Sequence, residues 1–212
     1  MYSLPYFTEK DNDKIIAFMK ENAFAIITGS GDKFPVASQI PLEVMVEEDG
    51  KIILSGHLMR HTDHHKAFVK NNNVLVIFTG PHCYVSASCY TNPQSASTWN
   101  YMAVHAKGKI IFTDEKGTYE AIKSLTNKYE GTATVAAFDN MSEAYIGQML
   151  KAIVGFNIEV EKIDHVFKLS QNKSSSEQLN IIEQLKQRGD ENSRLIALEM
   201  EKINTTKPAK PY

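Results

Sequence analysis

The sequence predicts an α+β protein that is mainly β, in which short strands form a barrel with helices placed around it. Three observations lead to this fold class. Apolar runs of strand length, bounded by turn residues, recur between residues 25 and 161. These runs do not alternate regularly with helices, as they would in a doubly wound parallel sheet. Beyond residue 174 the apolar residues follow helical spacing, which predicts a helical tail.

Turn and capping residues separate the predicted elements of the N-terminal half. Thr8, with Asp11 three residues later, is typical of a helix start. Glu48-Asp49-Gly50 is typical of a turn between two strands. The elements predicted for this half are a helix with an apolar face at Ile15, Ile16, Met19 and Ala23, strands at 25–28, 36–46, 51–57 and 74–79, and a short helix at 63–71.

The C-terminal half adds two strands and four helices. Alternating apolar and polar residues predict strands at 104–112 and 154–161, which makes six strand-like runs in all. The helices are predicted from a stripe at Ile122, Leu125 and Tyr129, from Ser142 to Leu150, from Ser175 or Ser176 to the break at Gly189-Asp190, and from Asn192 onward.

Composition and charge exclude several classes of protein. Of the 212 residues, 42% are apolar and 23% are charged, values that exclude a wholly disordered chain. A formal net charge of −2 gives no general attraction to nucleic acid or to an anionic membrane. No apolar run approaches the roughly 20 residues that span a bilayer, and the N-terminus lacks the pattern of a secretory signal. With only two cysteines, Cys83 and Cys89, we expect a cytoplasmic protein without membrane association.

The aromatic segment Ser97–Tyr101 is the first candidate for a binding site. It contains the only tryptophan of the chain, Trp99, next to Asn100 and two residues before Tyr101. Aromatic rings beside hydrogen-bonding groups suit a flat, partly polar heterocycle. The alternative is an aromatic corner that closes the barrel by packing alone.

The second candidate is the junction where a strand ends near Gly56 and a helix begins at Thr62 or Asp63. A helix N-terminus preceded by Arg60 is typical of a phosphate site, because free backbone N–H groups and a guanidinium both bind oxygen anions. The Asp63 carboxylate competes for the same positive field. The alternative is that Arg60 is a solvated charge and Asp63 an ordinary cap.

Motifs for other chemistry are lacking in the sequence. Four histidines lie within nine residues, but their spacing matches no zinc signature, so we expect no metal site. The sequence contains no nucleophile elbow, Walker loop or dinucleotide-binding glycine motif, and we assign no catalytic residue.

Several short segments, taken together, resemble the FMN-binding split-barrel proteins of the PaiB type, a family of negative transcriptional regulators similar to pyridoxamine-phosphate oxidases. The matching segments extend from near the start of the chain to beyond Gln184. They are Ala37–Leu42, Gly56-His57 with Arg60, Val76–Phe78 with Gly80-Pro81-His82 and Tyr84, Thr98–Tyr101 with Val104-His105 and Gly108, Val154–Phe156, and Lys168–Asn172.

The resemblance implies a six-stranded antiparallel split β-barrel and a homodimer that binds FMN at its interface. It implies that Gly56 and the backbone after His57, with Arg60 and His61, take the phosphate. The ring would lie along an edge strand formed by Ser38, Gln39, Ile40, Pro41 and Leu42. Trp99, Asn100 and Tyr101 would wall the cleft, with His57 and His82 as polar wall residues. The implied domains are an FMN-binding domain at 1–170, a helical appendage at 171–204 and a flexible tail at 205–212.

The chain departs from the family pattern at several of these positions. Family members usually have histidine where Gln39 stands and Asn-Pro where Thr62-Asp63 stand. They have a second tryptophan where Cys89 stands and Val-Pro where Ala96-Ser97 stand. The change at Asp63 weakens phosphate binding by its charge, and the change at Cys89 removes a large aromatic ring from the implied wall.

Three functions agree with this sequence. The first is an FMN-binding regulator, for which direct DNA contact has weak support because acidic residues offset the basic residues of the tail. The second is a small FMN-dependent oxidoreductase, since FMN itself supplies redox chemistry. The third is a haem-binding split barrel with His57, His82 or His105 as an axial ligand.

Overall fold

The structure, a computed structural model, describes residues 1, 4–92 and 94–206. The strands are β1 (Phe24–Gly29), β2 (Val36–Pro41), β3 (Glu43–Val46), β4 (Ile52–Met59), β5 (Asn73–Val85), β6 (Thr98–Phe112) and β7 (Ile153–Lys168). The helices are α1 (Asn12–Glu21), α2 (Asp63–Lys70), α3 (Glu115–Glu130), α4 (Glu143–Ala152), α5 (Ser175–Gln187) and α6 (Glu191–Thr206).

The seven strands form one sheet in the order β2-β1-β5-β6-β7-β4-β3. The predicted number of six strands is therefore wrong by one. The run at 36–46 divides at Leu42, whose N–H donates to the carbonyl of Ala23 at 2.9 Å. Leu42 therefore separates β2, which pairs antiparallel with β1, from β3, which pairs antiparallel with β4.

The division at Leu42 also curls the sheet. β2 and β3 occupy its two opposite edges, yet a single residue separates them along the chain. The two edges must therefore approach each other, as in a barrel. Gly56 of β4 permits this approach, because a Cβ atom there would lie 2.9 Å from side-chain atoms of both Leu42 and Phe156.

Three strands, β5, β6 and β7, are longer than their apolar patterns predict. β5 continues through Gly80-Pro81, a dipeptide that is locally typical of a turn. β6 begins at Thr98 and so includes the whole Thr98–Tyr101 segment, which was expected to precede the strand. Pairing with neighbouring strands supplies hydrogen bonds that local propensity does not register, and it therefore overrides the turn signal.

The chain divides into two compact units. The first consists of Met1–Ile15, Thr79–Val104 and Asp164–Tyr212, and the second of Ile16–Phe78 and His105–Ile163. Each has its own apolar interior. Fully or almost fully buried side chains of the first unit include Val85, Ile181, Ile196 and Met200, and those of the second include Leu42, Leu54, Phe68, Phe156 and Ile158.

The tail forms a pair of helices in the first unit. Ser174 caps α5 through a capping box with Glu177, one residue before the predicted start. α6 continues through 205 and 206, and residues 207–212 of the predicted tail lie outside the described residues. Within 1, 4–92 and 94–206, no helix has both the length and the apolar character needed to cross a membrane.

Candidate functional site

In the second unit, the predicted strand-to-helix junction forms between β4 and α2. Thr62 is the N-cap of α2, and its hydroxyl accepts a hydrogen bond from the N–H of His65 at 3.3 Å. His61 immediately before it has a φ of 65°, in the left-handed region that histidine tolerates better than most residues. This kink turns the chain sharply from strand into helix.

Local side chains already occupy the amides of this helix start. The Asp63 carboxylate accepts from the N–H of His64 at 2.8 Å, and the ring Nδ1 of His65 accepts from the N–H of His61 at 3.1 Å. An accepting Nδ1 carries no proton, and burial followed by the charge of Arg60 lowers the pKa of His65 accordingly. A phosphate at this junction would therefore depend on Arg60 more than on the helix amides.

Arg60 is well placed for that role. Its N–H donates at 2.9 Å to the carbonyl of Ala152, the last residue of α4, which fixes its backbone where β4 ends. Within the described part of the chain, no carboxylate lies within ion-pair distance of its half-buried guanidinium. A guanidinium without a carboxylate partner can donate bidentate hydrogen bonds to phosphate oxygens.

His57, three residues earlier on β4, has an unused polar atom. Its Nδ1 is buried and has no hydrogen-bond partner among the described residues. Burial lowers the pKa of this histidine, so its ring is neutral at neutral pH. A buried polar atom without a partner costs free energy, and a ligand that donates to Nδ1 would remove that cost.

The low pKa of His57 predicts how stability depends on pH. As the pH falls below the ordinary value of 6.5, the unfolded chain takes up the His57 proton before the folded protein does. The free energy of unfolding should therefore decrease between about pH 7.5 and about pH 5.5, measured by urea unfolding. His57→Gln should reduce this decrease, whereas Ser55→Ala on the same strand should preserve it. An unchanged decrease in His57→Gln would contradict the assignment.

The predicted edge strand is present as β2. It pairs with β1 and forms one edge of the sheet, so alternate backbone groups face away from β1. Ser38 is half-buried and Gln39 is exposed, whereas Ile40 and Leu42 point into the core. A ligand along β2 would therefore meet backbone groups and Gln39, not the apolar side chains.

In the first unit, three aromatic rings cluster at the surface. The Trp99 ring lies 6.0 Å from the Tyr84 ring and 6.2 Å from the His82 ring, measured between centroids. Trp99 is 54% exposed although it is the largest side chain of the protein. A cavity of about 270 Å³ opens beside it, lined by Thr79, Gly80, His82, Trp99, Tyr101, Met102 and Ala103.

Two residues of the implied wall point elsewhere. Asn100 is fully buried, and its side-chain amide lies 3.5 Å from Met200 Sδ of α6 and accepts from the Ser170 hydroxyl at 3.0 Å. Cys89 is buried with its thiol 3.1 Å from the Gln184 side chain of α5. Because adjacent strand residues face opposite sides, Asn100 faces the helices while Trp99 and Tyr101 face the cavity. We therefore leave Asn100 out of the proposed contacts.

Sequence reasoning missed several lining residues of the cavity. Thr79, Met102 and Ala103 carry no recognisable binding chemistry. The resemblance includes Tyr84 but implies no role for it, and the structure places its ring against Trp99. Because β6 begins at Thr98, residues 99, 101 and 103 lie on one face of the strand. This alternation of side chains is the sequence signal that could have identified Ala103 as a lining residue.

Comparisons with known proteins show the family to which this chain belongs. A family model described as "Putative FMN-binding domain" matches residues 1–162. The Bacillus subtilis protein named "Protease synthase and sporulation protein PAI 2" is 34% identical over 202 residues, 95% of this chain and 97% of that protein. The resemblance to the PaiB-type family is therefore confirmed.

Two solved structures share the fold at low identity. The FAD and heme binding protein from Mycobacterium smegmatis gives a TM-score of 0.61 at 13% identity, covering 81% of this chain and 78% of its own. The flavocytochrome Anf3 from Azotobacter vinelandii gives 0.57 at 11% identity, covering 79% and 72%. The predicted split-barrel fold is confirmed, with seven strands in place of six.

Proposed function

This chain belongs to the family of FMN-binding domains, and on that premise we propose that it is an FMN-binding split-barrel protein acting as a negative transcriptional regulator. The observation that carries the proposal is that, among the described residues, the Arg60 guanidinium has no carboxylate partner and the buried Nδ1 of His57, three residues away, has no hydrogen-bond partner. A cation and an unpaired polar atom at one strand end both need a partner. FMN carries a phosphate and several hydrogen-bonding groups that suit them.

The residues of the second unit take the polar parts of the cofactor. Arg60 binds the phosphate dianion, with Gly56 and His61 completing the turn around it. The edge strand β2, from Ser38 to Pro41, together with the Leu42 that follows it, offers backbone groups to the pyrimidine side of the ring. When bound, FMN supplies a redox-active isoalloxazine.

In the proposed homodimer, the first unit of one protomer contributes an aromatic surface to the FMN of its partner. Trp99 and Tyr101, with His82 at the margin, form a wall suited to a flat ring. Exposure of the only tryptophan supports an interface here, since tryptophan is enriched at protein interfaces.

The purified protein tests this function directly. We expect it to show the visible absorbance of oxidised flavin, to release one FMN per chain on denaturation and to sediment as a dimer. A colourless monomer that stays colourless after incubation with FMN and desalting would contradict the proposal.

We expect the helices α5 and α6 to contribute little to DNA contact by the proposed regulator. All four lysine and arginine side chains at 186–202 form ion pairs, namely Lys186–Glu201 at 2.5 Å, Arg188–Asp190 at 3.5 Å, Arg194–Glu191 at 2.6 Å and Lys202–Glu199 at 2.6 Å. A recognition helix needs unpaired cations that can displace counterions from DNA phosphates.

This pairing predicts a negative result in a DNA-binding experiment. The double variant Arg194→Gln with Lys202→Gln should bind DNA from upstream of its own gene as the parent protein does, with the same salt dependence. Electrophoretic mobility shift at several salt concentrations measures both. A clear loss of affinity with a shallower salt slope would show that DNA binds to this helix pair.

The oxidoreductase and haem alternatives stay predictions.

A further inference from the structure

The helix α5 holds the chain segment in which β5 ends. At one end of this contact, Nη1 of Arg188 donates to the carbonyl oxygen of Tyr84 at 2.6 Å. One helical turn earlier, the Gln184 side chain lies 3.1 Å from the Cys89 thiol. Arg188 is the C-cap residue of α5, and Tyr84 is the last residue but one of β5. The end of the helix is therefore bonded directly to the end of the strand.

The spacing of the contacts shows that one face of α5 makes them. Glu177, two turns before Gln184, accepts from the N–H of Thr91 at 3.2 Å. Positions 177, 184 and 188 have the i, i+7, i+11 spacing of a single helix face. Of the three contacts, only that of Arg188 has a partner, Tyr84, in the aromatic cluster around Trp99.

The two faces of β5 separate the helix from the aromatic rings. Cys83 is buried, whereas His82 and Tyr84 on either side of it are exposed. Burial raises the pKa of the Cys83 thiol to about 11, and the charge of Arg188 is the largest effect in the opposite direction, so this thiol faces the end of α5. His82 and Tyr84 therefore point away from the helix, toward Trp99.

Burial does not fix the rings of the cluster. Tyr84 is 42% exposed and Trp99 is 54% exposed. Their centroids lie 6.0 Å apart with the ring planes at 69°, which is an edge-on contact. Because exposed side chains change rotamer within nanoseconds, this contact depends on where the backbone holds Tyr84. The bond from Arg188 fixes that part of the backbone.

We propose that Arg188 is a positioning residue for the aromatic wall, which holds the Tyr84 carbonyl and so keeps the Tyr84 ring against Trp99 and the indole oriented toward the flavin. The effect on flavin binding rests on the proposed function, whereas the effect on Trp99 does not. A molecule that displaced the end of α5 would weaken flavin binding, and by linkage FMN would oppose that displacement.

The fluorescence of Trp99 tests the positioning without FMN. Trp99 is the only tryptophan, so the steady-state anisotropy of flavin-free protein reports one indole. Arg188→Gln should lower this anisotropy. Arg188→Lys should restore it, because the bond to the Tyr84 carbonyl uses one N–H, which an ammonium group can also supply. The control Arg194→Gln removes a guanidinium that pairs with Glu191 inside α6, and it should leave the anisotropy unchanged.

Titration with FMN and with riboflavin tests the consequence for the site. Arg188→Gln should weaken the binding of both ligands by the same factor, about three- to tenfold, the value of an aromatic contact. Equal losses distinguish Arg188 from Arg60, whose replacement should weaken FMN alone. In a Tyr84→Ala background, Arg188→Gln should have no further effect on either ligand, since Arg188 acts through the Tyr84 ring.

A role of Arg188 in stability alone predicts other results. If Arg188→Gln lowers the urea unfolding midpoint but leaves the Trp99 anisotropy and both flavin affinities at parent values, the positioning role is overturned. Additive losses from Tyr84→Ala and Arg188→Gln would overturn it as well. If the parent protein binds neither FMN nor riboflavin while Arg188→Gln lowers the anisotropy, the proposed function fails and the positioning role stands.

Discussion

Replacing Arg60 with glutamine should weaken FMN binding more than any other single substitution at the site. The guanidinium is half-buried and has no carboxylate partner among the described residues, so its donors are available for phosphate oxygens. Hydrogen bonds to a charged group contribute about 1.5–3 kcal/mol, which corresponds to a loss of affinity of roughly 10- to 100-fold. Titration with FMN, followed by flavin fluorescence, measures the change.

Two matched experiments isolate the phosphate contact. Riboflavin has the same ring and no phosphate, so Arg60→Gln should leave its affinity unchanged. Asp63→Asn should act in the opposite direction, because it removes a carboxylate from the first turn of α2. Removing this repulsion should strengthen FMN binding by about 0.3–1 kcal/mol, or roughly two- to fivefold. If Arg60→Gln weakened FMN and riboflavin equally, Arg60 would not be the phosphate ligand.

Gly108→Ala should cause the largest loss of stability. Gly108 lies in β6, where a Cβ atom would stand 2.1 Å from the carbonyl oxygen of Glu159 in β7. Backbone atoms of a paired strand cannot rotate away as a flexible side chain can. Overpacking in a tight interior typically costs about 1–3 kcal/mol and occasionally more, and we expect about 3 kcal/mol or more here. The urea unfolding midpoint should fall accordingly.

Gly147→Ala is the matched control for this substitution. Gly147 lies in the interior of α4, and no described atom lies within 4 Å of the position where its Cβ would be. Alanine is favoured over glycine inside a helix by about 0.5–1 kcal/mol, so this variant should be slightly stabilised. Similar midpoints for Gly108→Ala and Gly147→Ala would show that the β6–β7 contact tolerates a side chain.

Local sequence patterns located most of the elements. The helix at 63–71 was predicted within one residue, because Thr62 is a good cap and its hydroxyl does accept from His65. Ser142 was likewise predicted to cap a helix, and it accepts from the N–H of Tyr145 at 3.3 Å. These signals are predictable because they involve residues three or four positions apart.

Features that depend on distant contacts were not predictable in the same way. At the break at Leu42, the Leu42 N–H bonds to the distant Ala23, and Pro41 before it is only a weak local signal, since proline also occurs in edge strands. Likewise, the direction of Asn100 is set by Met200 and Ser170, which are far along the chain. The sequence marked Trp99 and Arg60 as chemically unusual, whereas their surroundings had to come from the fold.

The helix start at Thr62 lies where the sequence predicts it, but its backbone amides have other partners than the prediction assumed. The sequence predicted a phosphate site with free amides at a helix N-terminus. In the structure, side chains of Asp63 and Thr62 occupy the amides of His64 and His65. The physical reason is that Asp63 stands within reach of the amide that follows it, so its carboxylate forms this local hydrogen bond in place of an external anion. The proposed phosphate contact therefore rests on Arg60.

Trp99 provides the most direct test of the central claim, which is that this chain binds FMN through a phosphate contact and an aromatic wall. It is the only tryptophan, so all indole emission of the protein comes from one exposed side chain of that wall. Titration with FMN should quench this emission to a plateau at one FMN per chain. Riboflavin should require roughly 10- to 100-fold higher concentrations, as the loss of charged hydrogen bonds predicts. Quenching that rises linearly without a plateau, or identical curves for FMN and riboflavin, would contradict the claim.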